Sequence, residues 1–487
     1  VRFSLYSLVL LFSTSLSAQT LKLSLPQAID LALENNITLK NQYLSRIANK
    51  LDLQLAEDEF AVQYNAGAQS RYNSSYNEQR YDSVQNTLST GASWRNQYGG
   101  QMSLSLNQNK YQAEQQADQY QNSIGLSYSQ PLLKGAGKKA ATANLTQARQ
   151  QEVLNQLSMR RNLSSLISRV IFSYRNLLLA QQSLKIVELS LARANEKASN
   201  NRALLAAGRI SNSVLVESLT DQANQKLSFQ RSQYQYERSK LDFLQLLRLD
   251  KQADARLELD ADLTTVEPEL NLVELLHLAF ANRPDYQQAK IDLELAKLDL
   301  YQAKDQADWR LDLDMSYNKL VSGERFEHYS GLDQGDYQVA LKLEIPIDDM
   351  SSDNRVYKAQ ISLYQSANQL KELERNIELD VAEQKKKIEM SWQELLLSEQ
   401  YLTYTQLQLE TEQEKVQSGL SSNFQLVSYQ NQLVSAQRDY LSAKINYLNL
   451  LTELDNLVGQ DITKWQVDLS RSQNANIKQI RDYKIAD

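Results

Sequence analysis

Between Lys138 and Ala207 the chain contains neither proline nor glycine, and the same holds from Asp348 to Ser418. Stretches this long without a helix breaker, in a chain dominated by Gln, Leu, Ser, Ala and Glu, predict two very long helices with a polar face. At 1.5 Å per residue each would extend roughly 100 Å. In the second, Leu370, Leu373, Ile377, Val381, Ile388, Trp392 and Leu395 follow a three-and-four spacing, the mark of a coiled-coil-like seam. A helix of that length with one narrow apolar stripe needs neighbouring helices. Shorter helices are predicted over Pro26–Phe60, Ser211–Leu249, Leu272–Ala307 and Ser422–Val458. Each pair sums to about the length of one long helix at the same rise, so that stacked end to end the two would lie alongside it. The expectation is an elongated antiparallel helical assembly.

The plan occurs twice. Leu25–Asn36 matches Leu272–Arg283 at an offset of 247, Ser129–Leu132 matches Glu344–Ile347 at 215, and Ala207–Ser211 matches Ser418–Ser422 at 211. The order is the same in both halves, and the drop in offset places an insertion before the proline of the first half.

Between the helices the period changes from helical to two. Val339, Leu341, Leu343 and Ile345 alternate with Ala340, Lys342 and Glu344, and Leu311, Leu313, Met315 and Tyr317 alternate with Asp312, Asp314, Ser316 and Asn318. In the first half Ile124, Leu126 and Tyr128 alternate with Gly125, Ser127 and Ser129, and Met102, Leu104 and Leu106 with Ser103, Ser105 and Asn107. Segments of about ten residues fit a tilted transmembrane strand. Alternation by itself fits a soluble sheet with one wet face as well as a barrel. As a barrel, the chain would carry Asp312, Asp314, Lys342 and Glu344 as lumen candidates, with Tyr64, Tyr72, Tyr128, Tyr317 and Tyr337 in or near the strands. Two strands per half are too few to close a pore, so several copies must share one barrel.

Composition narrows the function. Net charge is −7 with both signs interspersed, which lacks the basic stripe of a nucleic-acid binder. There is no cysteine, and His277 and His328 have no metal-ligand spacing, so no metal site is expected. There is no phosphate loop or nucleophile elbow, and Gly91, Gly99, Gly100, Gly135 and Gly137 are read as turn residues. The chain is therefore read as neither an enzyme nor a cofactor binder. Arg2, the apolar run Leu5–Leu16 and the small residues Ser15, Ser17 and Ala18 read as a signal peptide over residues 1–18. No later segment reaches the apolar length of a transmembrane helix, so any crossing must be a β-barrel.

Taken together, the opening LSLPQAIDLALENN at Leu23–Asn36, NLVELLHLAFANRPD at Asn271–Asp285, the junction SQPLLKGAGKK at Ser129–Lys139 and the turns AAGRIS and QSGLSS resemble the TolC family of outer-membrane efflux proteins. The resemblance covers nearly the whole mature chain. It implies an α+β membrane protein with two tandem structural repeats per chain. A long antiparallel α-helical coiled-coil tunnel would stand in the periplasm, and a transmembrane β-barrel of twelve strands would be formed jointly by a homotrimer in outer-membrane lipid. It implies docking to a periplasmic adaptor (membrane fusion protein) and an inner-membrane ABC or RND-type transporter, with passive conduction of efflux or type I secretion substrates. Under this reading residues 19–250 are the first repeat, with strands over about 60–131 and helices at 138–207 and 211–249. Residues 251–270 are a connecting equatorial segment, and 271–459 are the second repeat, with strands over about 308–347 and helices at 350–418 and 422–458. Residues 460–487 are a polar periplasmic tail.

The resemblance further implies that the turns at Gly208 and Gly419 are helix-pair tips, with Gly208, Arg209, Gly419 and Leu420 as adaptor-contact candidates. Family members ring the closed end with aspartates. Those positions fall here on Gln425, Ser428 and Val214, with Glu217 the nearest acid, while the arginine and tyrosine of the closing network fall on Ser421 and Val416. The aperture is thus expected to be less acidic. The first-half insertion, Thr87–Trp94 and Gln101–Asn107 around a Tyr98–Gly100 turn, reads as a hairpin that either extends outside the barrel or joins its wall as strands thirteen to eighteen. The extension is favoured, since the tunnel fixes the diameter the barrel must match. Two other roles remain compatible with the sequence: a periplasmic coiled-coil scaffold or adaptor, and a surface receptor or adhesin function of the barrel loops.

Overall fold

A computed structural model describes residues 20–77, 79–113, 117–249, 256–259, 263–323, 335–347 and 349–465. The signal-peptide segment and nearly all of the polar tail lie outside the described residues. In chain order the elements are β1 (Thr20–Leu23), α1 (Leu25–Asn35), α2 (Ile37–Asp58), β2 (Gln63–Asn77), β3 (Gln79–Arg95), β4 (Gln101–Ala113), β5 (Gln119–Pro131), α3 (Lys138–Ala141), α4 (Ala143–Ala206), α5 (Asn212–Leu246), β6 (Arg256–Leu259), α6 (Leu272–Asn282), α7 (Pro284–Ala307), β7 (Arg310–Gly323), β8 (Asp336–Glu344), α8 (Met350–Gln417), α9 (Asn423–Leu457) and α10 (Asp461–Lys464).

The helical plan holds, with three interruptions. The helix expected from Pro26 breaks at Asn36, whose side-chain oxygen accepts from Leu39 N (2.9 Å) and so starts α2 as a new helix. Its counterpart breaks at Arg283, where Pro284 opens α7. The long first-half helix is interrupted at Thr142, between α3 and α4. Element lengths agree between the halves: 11 residues for α1 and α6, 22 and 24 for α2 and α7, 64 and 68 for α4 and α8, and 35 for both α5 and α9.

The chain forms two compact units, each drawing on both halves. The first comprises residues 1–41, 161–283 and 377–487. On α8 the buried positions run Ile377, Val381, Gln384, Ile388, Ser391, Leu395, then Thr405, Leu409 and Glu412. As far as Leu395 the steps of three and four follow the expected seam, with Ser391 buried where Trp392 is half-buried, and four of the nine positions are polar. Each has a partner: Gln384 Nε2 donates to Leu450 O (2.8 Å), Ser391 Oγ accepts from Asn446 Nδ2 (3.4 Å), Thr405 Oγ1 donates to Tyr401 O (2.8 Å), and Glu412 accepts from Ser421. Gln384 and Ser391, which bond to α9, are polar positions of the kind that specify register at a cost in stability. On α4 the buried stripe is wider, with Leu163, Leu166, Ile167, Val170, Ile171, Tyr174, Leu177 and Leu178 all covered. The Tyr174 hydroxyl donates to Leu23 O (3.0 Å) and its ring meets Phe243 edge-on at 5.9 Å. Arg175 donates to Leu448 O (2.7 Å), Asn449 Oδ1 (3.1 Å) and Thr452 Oγ1 (2.9 Å), tying α4 to α9. Burial pulls its guanidinium down to about 10, against the opposing charge of Asp455, so it stays cationic at neutral pH. In this unit β1 pairs in parallel with β6, a small sheet absent from the sequence-based expectation.

The second unit comprises residues 42–160 and 284–376 and holds one antiparallel sheet in the order β2-β3-β4-β5-β7-β8. Strands β2 to β5 and β7 span 13 to 17 residues, longer than the ten expected, and β8 spans 9. The inserted hairpin is not an extension. β3 pairs with β2 from Asn77↔Gln79 to Gln63↔Ser93 on one side, and with β4 from Ser83↔Ala113 to Arg95↔Gln101 on the other. Its turn lies beside the strand-to-helix junction. Asn96 N donates to Gly100 O (2.8 Å) and Gly137 N to Tyr98 O (3.2 Å). Pairing on both sides puts Leu88, Ala92 and Trp94 of one inserted strand and Met102, Leu104 and Leu106 of the other on the same face as the apolar residues of the flanking strands. The junction itself is pinned by Asp305, whose carboxylate accepts from Gly135 N at 3.0 and 3.1 Å, and whose pKa burial pushes up. Asp349 starts α8 by accepting from Ser351 N (3.1 Å) and Ser352 N (3.3 Å). The Ser351 and Ser352 side chains are the largest influence holding its carboxyl down to about 2.

Candidate functional site

Registers across the sheet assign every strand residue to one of two faces, since directly opposed residues point the same way. One row reads Ala92↔Leu104↔Leu126↔Tyr317↔Tyr337 and another Trp94↔Met102↔Tyr128↔Met315↔Val339. Tyr64 and Tyr72 fall on this same face, with Leu88, Leu106, Leu313 and Leu341. Most of its large apolar residues are exposed, Val339 at 71% and Leu341 at 68%, while Leu106, Tyr128, Leu313 and Tyr317 are half-buried. The opposite face is small and polar. One of its rows reads Asn65↔Gly91↔Ser105↔Gly125↔Asn318↔Asp336. Gly91 therefore lies within a strand and not at a turn. A Cβ there would come within 2.6 Å of Asn65 Oδ1, so the neighbouring side chain leans over the gap that glycine leaves. The polar side chains bond to one another, as Ser103 to Ser127 (2.6 Å) and Thr87 Oγ1 to Asn109 Oδ1 (2.7 Å) do.

All four lumen candidates fall on the polar face. Asp312 stands opposite Lys342, Glu344 opposite Arg310, and Asp314 opposite Ala340. Lys342 and Glu344 are exposed and Asp314 is half-buried, but Asp312 is only 4% exposed and pairs with Arg310 Nε at 2.6 Å. Arg310 escaped the sequence reading because it opens the strand, outside the alternating run. With it, Asp312 and Glu344 each face an opposite charge across the β7–β8 pair, while Asp314 faces Ala340.

The two helix turns have the same construction. Gly208 and Gly419 adopt φ of 69° and 73°, the left-handed conformation that glycine takes freely. Arg209 N donates to Leu204 O (2.9 Å) and Leu420 N to Lys415 O (2.8 Å), closing a Schellman-type end at each. Arg209 is exposed and Leu420 is 79% exposed. Of the aperture candidates, Val214, Glu217 and Gln425 are half-buried and Ser428 is exposed. Gln425 N donates to Ser422 Oγ (3.3 Å), the cap of α9. One Glu217 carboxylate oxygen is shielded from solvent and accepts no hydrogen bond. The charges of Asp221 and Glu217 act on Lys197 of α4, whose pKa burial nevertheless lowers. The Ser421 to Glu412 bond, with Lys415 at 3.6 Å from Glu412, is the contact sequence reasoning missed. Its signal was an acid at a position that continues the buried three-and-four spacing of α8. Alanine at Gly208 or Gly419 meets no neighbouring atom, so only backbone strain opposes it. Each such variant is expected to cost about 1–2 kcal/mol, read as earlier thermal loss of helicity and faster proteolysis at the turn.

Among the described residues no group of His, Asp or Glu is placed to hold a metal ion, and no helix is long and apolar enough to cross a membrane. Residues 275–460 match the sequence model of the outer membrane efflux protein family. Over this segment the chain is similar to that family. The fold of such channels extends over nearly the whole chain. The outer membrane channel MtrE of Neisseria gonorrhoeae, in its open state, is 15% identical, with a TM-score of 0.66 over 90% of this chain and 89% of that one. The outer membrane protein VceC of Vibrio cholerae gives 12% identity and 0.66 over 89% and 96%. The outer membrane channel CmeC of Campylobacter jejuni gives 12% and 0.63 over 93% and 89%. No curated protein matches the chain by sequence. The resemblance to the TolC family of outer-membrane efflux proteins stands.

Proposed function

We propose that this chain is one protomer of a homotrimeric outer-membrane duct. Its sheet joins those of two further copies in a transmembrane β-barrel. Its helices, two tandem repeats of one plan, build a tunnel in the periplasm. The duct passively conducts efflux or type I secretion substrates that a periplasmic adaptor and an inner-membrane ABC or RND-type transporter deliver.

The two-faced sheet carries this reading. A row of exposed Leu, Val, Tyr and Met is an aggregation hazard in water but is the outward surface of a barrel in lipid. The small polar face then lines the lumen, with Asp312, Asp314, Lys342 and Glu344 among its groups. The sheet has two bare edges, β2 and β8, which lipid does not tolerate unpaired. The matched element lengths of the two halves support the repeat, and the exposed turns at Arg209 and Leu420 are the surfaces offered to an adaptor.

The experiment is reconstitution in a planar bilayer, alongside susceptibility of a deletion strain to several drugs. Passive ion-conducting pores and raised susceptibility are expected. A protein extracted without detergent that forms no pores would instead be a periplasmic scaffold. Pores with unchanged susceptibility and secretion would favour a surface-receptor role. Because Val214, Gln425 and Ser428 stand where relatives of the archetypal pattern carry acids, magnesium or a trivalent cation added on the periplasmic side is expected to block weakly. Strong block would overturn the non-acidic aperture.

A further inference from the structure

The inserted hairpin changes what the barrel can pass. β3 and β4 are flanked on both sides by paired strands, so among the described residues each chain has six strands in this sheet and not four. Val84, Leu88, Ala92 and Trp94 of β3, and Met102, Leu104 and Leu106 of β4, share the apolar face with Leu126, Tyr317 and Leu341. The connecting turn is held against the junction by Gln130 Nε2, which donates to Tyr98 O (3.2 Å), and by Gly137 N. A hairpin standing outside the membrane would put that apolar face in water and would not end beside the junction.

The free edges fit a second copy. Neighbouring strands are antiparallel throughout the sheet, and six is an even number, so β2 and β8 run in opposite directions. β8 of one copy can therefore continue antiparallel onto β2 of the next without a break in the pattern.

Resting on the trimeric reading above, we propose that the barrel wall has eighteen strands and that the outer-membrane section is a wide aqueous channel that imposes no size filter on small solutes. With strands about 4.8 Å apart and tilted by about 40°, eighteen strands give a backbone diameter of about 36 Å, against about 24 Å for twelve. The inward rows of Ser, Gly and Asn add little bulk to that opening. Cargo would be hydrated, up to an extended polypeptide or a bulky polar solute, and size selection would fall to the helical end.

The chain lacks cysteine, so single cysteines report position cleanly. Leu88→Cys and Leu104→Cys in the hairpin are compared with their polar-face neighbours Ser89→Cys and Ser105→Cys, using a membrane-impermeant maleimide and a fluorophore quenched by brominated lipid. The leucine positions are expected to react at least about tenfold more slowly, because a hydrophilic reagent does not enter lipid, and to be quenched. The serine positions are expected to react and stay unquenched. If all four react alike without quenching while Leu126→Cys and Leu341→Cys remain quenched, the eighteen-stranded wall is overturned and the duct stands. If Leu126→Cys and Leu341→Cys are also unquenched, the duct reading itself fails. Imaging the unmodified trimer in nanodiscs decides independently of any variant: a cross-section of eighteen strands is expected, and twelve would overturn the proposal.

Discussion

Ile167→Ala is expected to lower the stability of the helical unit by about 2–5 kcal/mol, the cost of removing a large aliphatic side chain from a site that cannot collapse around the cavity. Ile167 is 0% exposed, as are Ile171 and Leu177 on the same helix. The stripe around it is wide, with Leu163, Leu166, Val170, Tyr174 and Leu178 also buried, so the cavity would open at the centre of the packed face and not at its margin. Leu189, on the same helix but 54% exposed, is the control. Its alanine variant is expected to stay within about 0.5 kcal/mol. Thermal unfolding followed by helicity would show the first variant melting well below the parent and the second alongside it. Equal midpoints for both would mean that the α4 stripe does not carry the core assigned to it.

The sequence exposed the periodic parts of this fold and hid what depends on single contacts. Uninterrupted runs showed α4 and α8, because a missing breaker is a local property that tertiary packing does not override. The seam from Ile377 to Leu395 was legible for the same reason, but its continuation through Thr405 and Glu412 was not. There the periodic residues are polar, and only a partner such as Ser421 makes them burial-competent. The break at Asn36 depends on capping geometry, whereas at Thr142 the hydroxyl donates back to Lys138 O (2.8 Å). The first has a sequence cue in the asparagine, and the second has none that propensity would register. The strands were legible as alternation, but their pairing was not. Period-two patterning assigns a face and leaves the neighbour open, so Thr87–Asn107 fitted an external hairpin as well as a wall. What decides it is long-range: the Tyr98 carbonyl held by Gly137 and Gln130, far along the chain from the strands it anchors. Gly91 was misread as a turn for a related reason, since its role is to leave room for Asn65 across the strand pair.

The face assignment makes the largest prediction, from two residues adjacent in sequence. Leu341→Arg and Ala340→Arg add the same side chain to the same strand, on opposite faces. Leu341 stands opposite Leu313 on the apolar face and is 68% exposed, so arginine there meets no packing obstacle. In water this variant would cost almost nothing. In a bilayer it places a cation against hydrocarbon, at about 2–4 kcal/mol near the midplane and less toward either interface. Summed over the three copies of the proposed trimer, that cost is of the order of a domain's whole stability, so assembled Leu341→Arg protein is expected to be nearly absent from the outer membrane. Ala340 stands opposite Asp314 on the polar face. Arginine there gains an opposite charge across the strand pair, and assembly is expected to be close to normal, with the pore shifted toward anion selectivity. Heat-modifiable trimer on gels and the reversal potential under a salt gradient measure the two effects. Equal assembly of both variants would mean the apolar face meets water and the sheet is not a barrel wall. Failure of Ala340→Arg alone would mean the two faces have been assigned the wrong way round.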